Sequence, residues 1–260
     1  MVRKKDPAAN ANVTSVDKAF SIIDYLHSCG GEASVGEISR DTGMNKSSVY
    51  RILNAVKATG YIYQNEQTAN YGLSARFYQI GIRIQNSRYF LRAYAPHARQ
   101  LNEKYNEVVT VAARELSTYD VPRYLELYGF RSSHSLTMRF TAGEYTQSHC
   151  TASGKCLLAF SEESYLSRFE GCPLTQHTSY TITGWPQLKI ELQRIREKGY
   201  ALDNEEYELG LMGIATPIFS SDRDIVGALS LTLPVERFRM LDLAQVIADM
   251  RAISELKLDV

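Results

Sequence analysis

The sequence predicts an α+β fold in three parts: a helical front closed by a small hairpin, a helical connector, and a larger domain around one sheet. Three observations carry this. Apolar residues recur at helical spacing through residue 60, most clearly in Ser34–Gly60. Two short β-like runs, Tyr61–Tyr63 and Tyr71–Leu73, then flank a polar loop. From Val108 onward strand-like runs alternate with amphipathic stretches, the pattern of a sheet covered by helices. The expected boundaries are 12–74 for the front, 75–94 for the connector and 95–258 for the larger domain.

Taken in order, residues 1–13 lack an apolar pattern and read as an arm, with Arg3, Lys4 and Lys5 available to phosphate. Ser15 is the expected cap of the first helix. Val16, Phe20, Ile23 and Leu26 are its expected buried stripe, and Gly30-Gly31 its end. Val35 and Ile38 give the second helix an inner face, and Gly43 supplies a turn that needs positive φ. Asn45 is placed to cap the third helix, whose inner stripe is Val49, Ile52, Leu53 and Val56. Its other face begins with Lys46, Ser47, Ser48, Tyr50 and Arg51. Short hydrogen bonders and cations on one helix face suit the major groove of DNA, where base edges present distinguishable donors and acceptors. Tyr50 reads equally well as a sugar or thymine-methyl contact and as a half-buried core residue. Arg51 is the candidate for a bidentate guanine contact, and Ser34 and Arg40 for backbone contacts. The hairpin that follows is the wing of a winged helix. Its loop offers Asn65, Gln67, Thr68 and Asn70 as hydrogen bonders, with Glu66 as its one charge.

Ser74 caps the connector helix, which Phe77, Ile80, Gly81 and Ile84 line on one side; Pro96 starts another helix ending near Glu107. Strands are expected at Val108–Ala113 and Arg123–Tyr128, with a turn at Asp120–Pro122. A helix is expected at Gly154–Phe160, led in by His149–Ser153, and another at Gln187–Lys198, closed by Gly199. Strands Ile214–Phe219 and Ile225–Leu233 are joined by Ser220–Asp224. A last helix from about Met240 turns Leu243, Val246, Ile247, Met250 and Ile253 inward.

Composition narrows the function classes. Of the 260 residues 44% are hydrophobic, enough for substantial cores, and the formal net charge is zero. Lys and Arg nonetheless outnumber Asp and Glu before residue 111, so the front is basic and the rest acidic. The start, MVRKKDPAANAN, is charged and polar without an apolar core, and no run approaches the roughly 18 apolar residues of a membrane span. The four cysteines show no C-x-x-C spacing. A cytoplasmic protein with reduced thiols and no membrane partner is the expectation.

The second half carries a more specific signal. His149-Cys-Thr-Ala-Ser-Gly-Lys-Cys-Leu-Leu-Ala159 is followed by Ile195-Arg-x-x-Gly199-Tyr-Ala-x-Asp203-x-Glu205-Glu206, then Ile214-Ala-Thr-Pro-Ile218 and Ala228-Leu-Ser230-Leu. In this order, and behind a winged unit, these runs resemble the IclR family of bacterial transcriptional regulators over about Ala11 to Leu258. The resemblance implies a winged helix-turn-helix, a helical linker, and a GAF-like or profilin-like effector domain whose central antiparallel sheet is flanked by helices. It implies a homodimer or homotetramer on pseudo-palindromic operator DNA, with repression as the expected sense of control. A single winged unit offers few phosphate contacts, and a dimer doubles them.

Carried over residue by residue, the effector-binding candidates are Ala152, Ser153, Gly154, Asp203, Leu211, Gly213, Ser230 and Thr232. The chemistry agrees with a small carboxylic acid. Amides at a helix start favour an anion. Ser230 and Thr232 share a strand face, and Asp203 can accept from a ligand hydroxyl. Many members carry cysteine where this chain has Gly213, which implies a roomier pocket and an aromatic or sugar-derived acid. Without the resemblance the same positions read as packing and capping (Gly154, Lys155) and as a solvated acidic turn (Asp203, Glu205, Glu206).

Three other readings compete. The C-terminal domain could serve only for oligomerisation. His149 or His177 beside Cys150, Cys156 or Cys172 could form a zinc site or a cysteine nucleophile with its base. The spacing is not finger-like, and Cys156 sits among Leu157, Leu158 and Ala159 as a small apolar residue. The expectation is therefore a regulator with no catalytic residues, no metal and no cofactor.

Overall fold

The computed structural model describes residues 14–87, 93–115 and 121–256. Arg3, Lys4, Lys5, Arg88, Arg92, Asp120 and the side chain of Ile84 lie outside the described residues. Two compact units divide the chain between residues 88 and 89.

The first unit packs α1 (Ser15–Ser28), α2 (Val35–Thr42) and α3 (Lys46–Ala58) against a two-stranded hairpin, β1 (Ile62–Gln64) and β2 (Tyr71–Leu73). Its core is Ile22, Leu26, Ile38, Val49, Ile52, Leu53, Ile62 and Tyr71. Two expectations for α1 are corrected. The cap is Thr14, because Asp17 three residues on completes a reciprocal capping box with it. The buried stripe is Ile22 and Leu26, with Ile23 partly packed, while Val16 and Phe20 are 62% and 59% exposed. The packed face centres on Ile22 and Leu26, flanked by Ala19 and Ile23; at about 100° per residue Phe20 stands roughly 160° and Val16 roughly 120° from Ile22, turned away from that face. Gly43 takes φ 71° as the α2 cap, and Asn45 caps α3 by accepting from the Ser48 amide at 2.8 Å. Helix α4 (Ala75–Ser87) follows; Ser74 Oγ accepts from the Arg76 amide and donates to the Gly60 carbonyl.

The second unit is built on an antiparallel sheet of order β5-β4-β3-β8-β7-β6. Its strands are β3 (Val108–Arg114), β4 (Arg123–Phe130), β5 (Tyr145–Gln147), β6 (Ala201–Asn204), β7 (Leu211–Phe219) and β8 (Ile225–Pro234). Side chains alternate between two cores. One face carries Val109, Val111, Ile214, Leu229 and Leu231, and packs on α5 (Ala95–Tyr105) and α10 (Leu243–Ser254). The other carries Ala112, Ala201, Ala215 and Ala228, and packs on α6 (Ala152–Ala159) and α8 (Trp185–Lys198). Small residues on the second face let α6 lie close to the sheet, and every residue of α6 is buried. Short helices α7 (Glu163–Ser167) and α9 (Val235–Phe238) complete the unit. Strands β5 and β6 and helices α7 and α9 were not expected from the sequence; each is too short to develop a period. Helix α6 starts at Ala152, two residues before the expected start, because Thr151 caps it: its hydroxyl accepts from the Gly154 amide at 3.1 Å. Trp185 and Pro186 lie inside the first turn of α8, and α10 starts at Leu243, capped by Asp242.

Candidate DNA-reading face and ligand site

Helix α3 presents one face to solvent. Lys46, Ser47, Tyr50 and Arg51 are exposed, and Tyr50 at 55% exposure is not the half-buried core residue of the alternative reading. Lys46 and Arg51 have no ion-pair partner among the described residues. The remaining candidates are already engaged. Asn45 Oδ1 receives both the Ser48 amide and the Ser47 hydroxyl, at 2.8 and 2.9 Å. Ser34 shares a capping box with Glu37, and the Arg40 Nε lies 2.9 Å from Asp41 Oδ1. Geometry thus separates residues with free donor capacity, Lys46 and Arg51, from those that shape the helix ends.

The wing holds a feature absent from the sequence reading. Glu32, before α2, accepts from Tyr63 Oη at 3.0 Å, from Asn65 Nδ2 at 3.0 Å and from Thr68 Oγ1 at 3.2 Å. Those hydrogen bonds, led by Asn65, hold its carboxyl below the usual range. Asn65 and Thr68 are therefore engaged with Glu32, while Gln67 is exposed and Asn70 partly so. The contacts span more than thirty residues, so no local pattern announces them.

In the second unit the carried-over candidates converge. A Cβ built at Gly213 would meet Ala152 Cβ at 3.4 Å, Thr232 Oγ1 at 3.4 Å and Asp203 Cβ at 3.6 Å. Register explains this: Asp203, Gly213 and Thr232 are direct cross-strand partners on β6, β7 and β8. Leu211 lies two residues before Gly213 on the same strand face and is half-buried. Ser230, two residues before Thr232, is buried with its hydroxyl 2.7 Å from that of Thr110 on β3. Ala152 and Ser153 open α6 from above, and among the described residues their amides have no protein acceptor.

Gly154 is the exception. Its amide is held by Thr151, and a Cβ there would come within 2.3 Å of the Ser148 backbone. Its role is close packing of α6 on the 3-10 turn Ser148–Cys150, which is the packing alternative of the sequence reading.

Beside the candidate Asp203, three titratable groups around this site, Lys155, Glu206 and Glu126, were not among the effector-binding candidates. Lys155, 1% exposed, pairs with Glu206, also buried. Glu206 is therefore not part of a solvated turn, although burial still raises its pKa. Asp203 Oδ1 accepts the Glu206 amide at 2.8 Å, and burial pushes its carboxyl up to about 7. Glu126 on β4, 8% exposed, is likewise pushed up to about 7 by burial. It hydrogen-bonds toward Thr110 and Tyr124, while its Oε2 has no partner. A polar line thus runs across the sheet from Glu126 through Thr110 and Ser230. Thr110 and Glu126 stood in strands whose sequence reads as ordinary, and only the register joins them to Ser230.

The cysteine-nucleophile alternative loses its support. Cys156 is fully buried in the apolar core, and burial drives its thiol far from ionisation. Burial, and then Asp203 and Glu206, raise Cys150 up to about 12, the reverse of an activated nucleophile. His149 and His177 approach Cys150; Cys172 instead lies beside Trp185, whose indole nitrogen donates to its carbonyl.

Comparison with known proteins agrees with this architecture. Residues 15–66 match the IclR helix-turn-helix domain, and residues 85–256 match the domain described as bacterial transcriptional regulator IclR C-terminal. The HTH-type transcriptional regulator KdgR of Escherichia coli is 31% identical over 240 residues, covering 91% of this chain and 88% of that protein. The DNA-binding transcriptional repressor YiaJ of E. coli is 28% identical over 257 residues, covering 96% and 88%. The crystal structure of Thermotoga maritima IclR superposes with a TM-score of 0.70 at 26% identity, covering 93% of this chain and 96% of that one. An IclR homologue from Microbacterium hydrocarbonoxydans, solved in complex with 4-hydroxybenzoate, shares the fold with a TM-score of 0.78 at 17% identity, covering 93% and 96%.

Proposed function

Because this chain belongs to the IclR family of bacterial transcriptional regulators, we propose that it is a repressor in which a small organic acid, bound beneath α6, changes operator affinity. Its coarser activity follows from the family: it is a DNA-binding transcriptional regulator and not an enzyme. No helix among the described residues is long and apolar enough to cross a membrane, which is consistent with a cytoplasmic site of action.

The observation that carries the effector reading is the meeting of Ala152, Asp203 and Thr232 around Gly213. Acceptor-free amides of α6 suit a carboxylate, and the Ser230–Thr232 face supplies hydroxyl donors. The missing side chain at Gly213 supports a ligand larger than a two- or three-carbon acid. The neighbour's 4-hydroxybenzoate is such an acid, and aromatic and sugar-derived acids are the classes to try first. On DNA, α3 is the recognition helix, with Arg51 reading a base and Lys46 holding phosphate. The exposed Val16 and Phe20 on α1, and Ile80 and Ile82 on α4, support self-association into the homodimer that a pseudo-palindromic operator requires. A bound acid acts only through differential affinity for two arrangements of that dimer.

A thermal-shift screen of the full-length protein against sugar, aromatic and short oxo acids tests this reading. A stabilising acid whose effect disappears in Ser230→Ala/Thr232→Ala is the expected result, since a ligand of the native state stabilises by mass action. No shift across the panel would turn the reading toward a second unit that only oligomerises.

A further inference from the structure

His149 and Cys150 come from the 3-10 turn before α6, and His177 comes from the loop between α7 and α8. One ring nitrogen of each histidine and the Cys150 sulfur all lie within 4.8 Å of one another. We propose that His149, Cys150 and His177 form a binding site for a zinc-type divalent cation.

The donor set is the first argument. Two imidazoles and a thiolate suit zinc and its borderline neighbours, whereas magnesium and calcium take oxygen. Geometry is the second. Donors on a tetrahedral zinc stand roughly 3.3–3.7 Å apart, from metal–ligand distances of about 2.0–2.3 Å. The observed spread needs a modest closure, which the exposed His177 ring makes by giving up a 3.3 Å contact from Nε2 to Gln147 Oε1 and sliding along the Tyr207 ring, 5.1 Å away.

The third argument is the anchoring of His149. Its Nε2 lies 2.9 Å from the Thr175 carbonyl. Donation there from Nε2–H leaves Nδ1 as the lone pair, the arrangement by which a backbone carbonyl orients a metal-bound histidine. Three protein donors leave one of four positions for water or a ligand oxygen. Such an ion ties the turn that positions α6 to the loop carrying His177. None of this depends on the identity of an effector, or on there being one.

The test uses full-length protein stripped with a chelator and titrated with cobalt(II) and then zinc. Cobalt should bind stoichiometrically and produce a thiolate charge-transfer band that zinc displaces. Cys150→Ser should abolish the band, and Cys29→Ser, removing the exposed thiol, should leave it intact. His177→Ala should weaken zinc by more than the 10–100-fold typical of losing a supporting second-layer partner. Because His177 is exposed, that variant keeps its fold, checked by circular dichroism and operator binding. No band in the parent protein, a band that survives Cys150→Ser or vanishes in Cys29→Ser, or an unchanged zinc affinity in His177→Ala would each overturn the assignment.

Discussion

Two helix starts in this molecule use the same local device for opposite ends. At α3, Asn45 caps the Ser48 amide, and the first turn carries exposed Lys46, Ser47 and Tyr50. At α6, Thr151 caps the Gly154 amide, and every residue that follows is buried. An exposed helix start can lie against a large, rigid polyanion. An enclosed one can act only on something small enough to enter, and its groups titrate and pack as interior groups do. The difference teaches that the cap sets the direction of the amides, whereas burial sets which partner they can meet.

The contrast predicts a gradient of mutational effects, steep at α6 and shallow at α3. Lys155→Ala should have the largest effect, about 3–5 kcal/mol of stability in denaturant unfolding, because it strands Glu206 in the interior. Gly154→Ala comes next. The Ser148 backbone leaves no room for a methyl group, so a loss of about 1–3 kcal/mol or more is expected from overpacking. At α3, by contrast, Arg51→Ala should leave the melting temperature unchanged and cost about 1–3 kcal/mol in specific operator affinity, read by fluorescence anisotropy. Lys46→Ala should weaken all sequences alike and reduce the salt dependence.

A subtler probe is pH. The folded pKa of Glu126, about 7, lies above the usual carboxylate value near 4.3. Its protonated form is favoured in the folded state, so its contribution is fully present below pH 4 and is lost as pH rises through 7. Glu126→Gln should reduce the slope of the stability profile between those limits, leaving the part that Asp203 contributes, while the α3 substitutions leave it unchanged. The smallest effect is expected at Gly213→Ala, whose added methyl meets ordinary contacts at 3.4 Å and beyond. Stability should shift by less than about 1 kcal/mol, while any acid bound there should be replaced by a smaller one in competition titrations.

Much of the α3 face was readable in the chain because it is local. The Asn45 cap, the Gly43 turn and the stripe of Val49, Ile52 and Leu53 occupy fewer than four helical turns, and the structure has all of them. The error at α1 is instructive. Val16 and Phe20 fit the helical period, yet the face that packs is the one carrying Ala19, Ile22 and Leu26. Period shows which residues share a face and does not show what covers it. In the second unit the motif residues Asp203, Gly213 and Thr232 were recognisable, but their contact depends on three strands in register. Glu126 and Thr110 were invisible, because nothing in a strand's own sequence marks which neighbour will lie across from it.

By itself, then, the sequence determined the family, the α+β class, the helix-turn-helix with its caps, and which residues carry donors, acceptors and charge. Those properties reside in single side chains or in spacings of a few residues. Tertiary structure alone decided that Glu32 pins the wing, that Lys155 and Glu206 neutralise each other out of water, and that His177 reaches Cys150 across twenty-seven positions. Each joins segments far apart in the chain, and such contacts exist only once sheet register and helix packing have brought the backbones together.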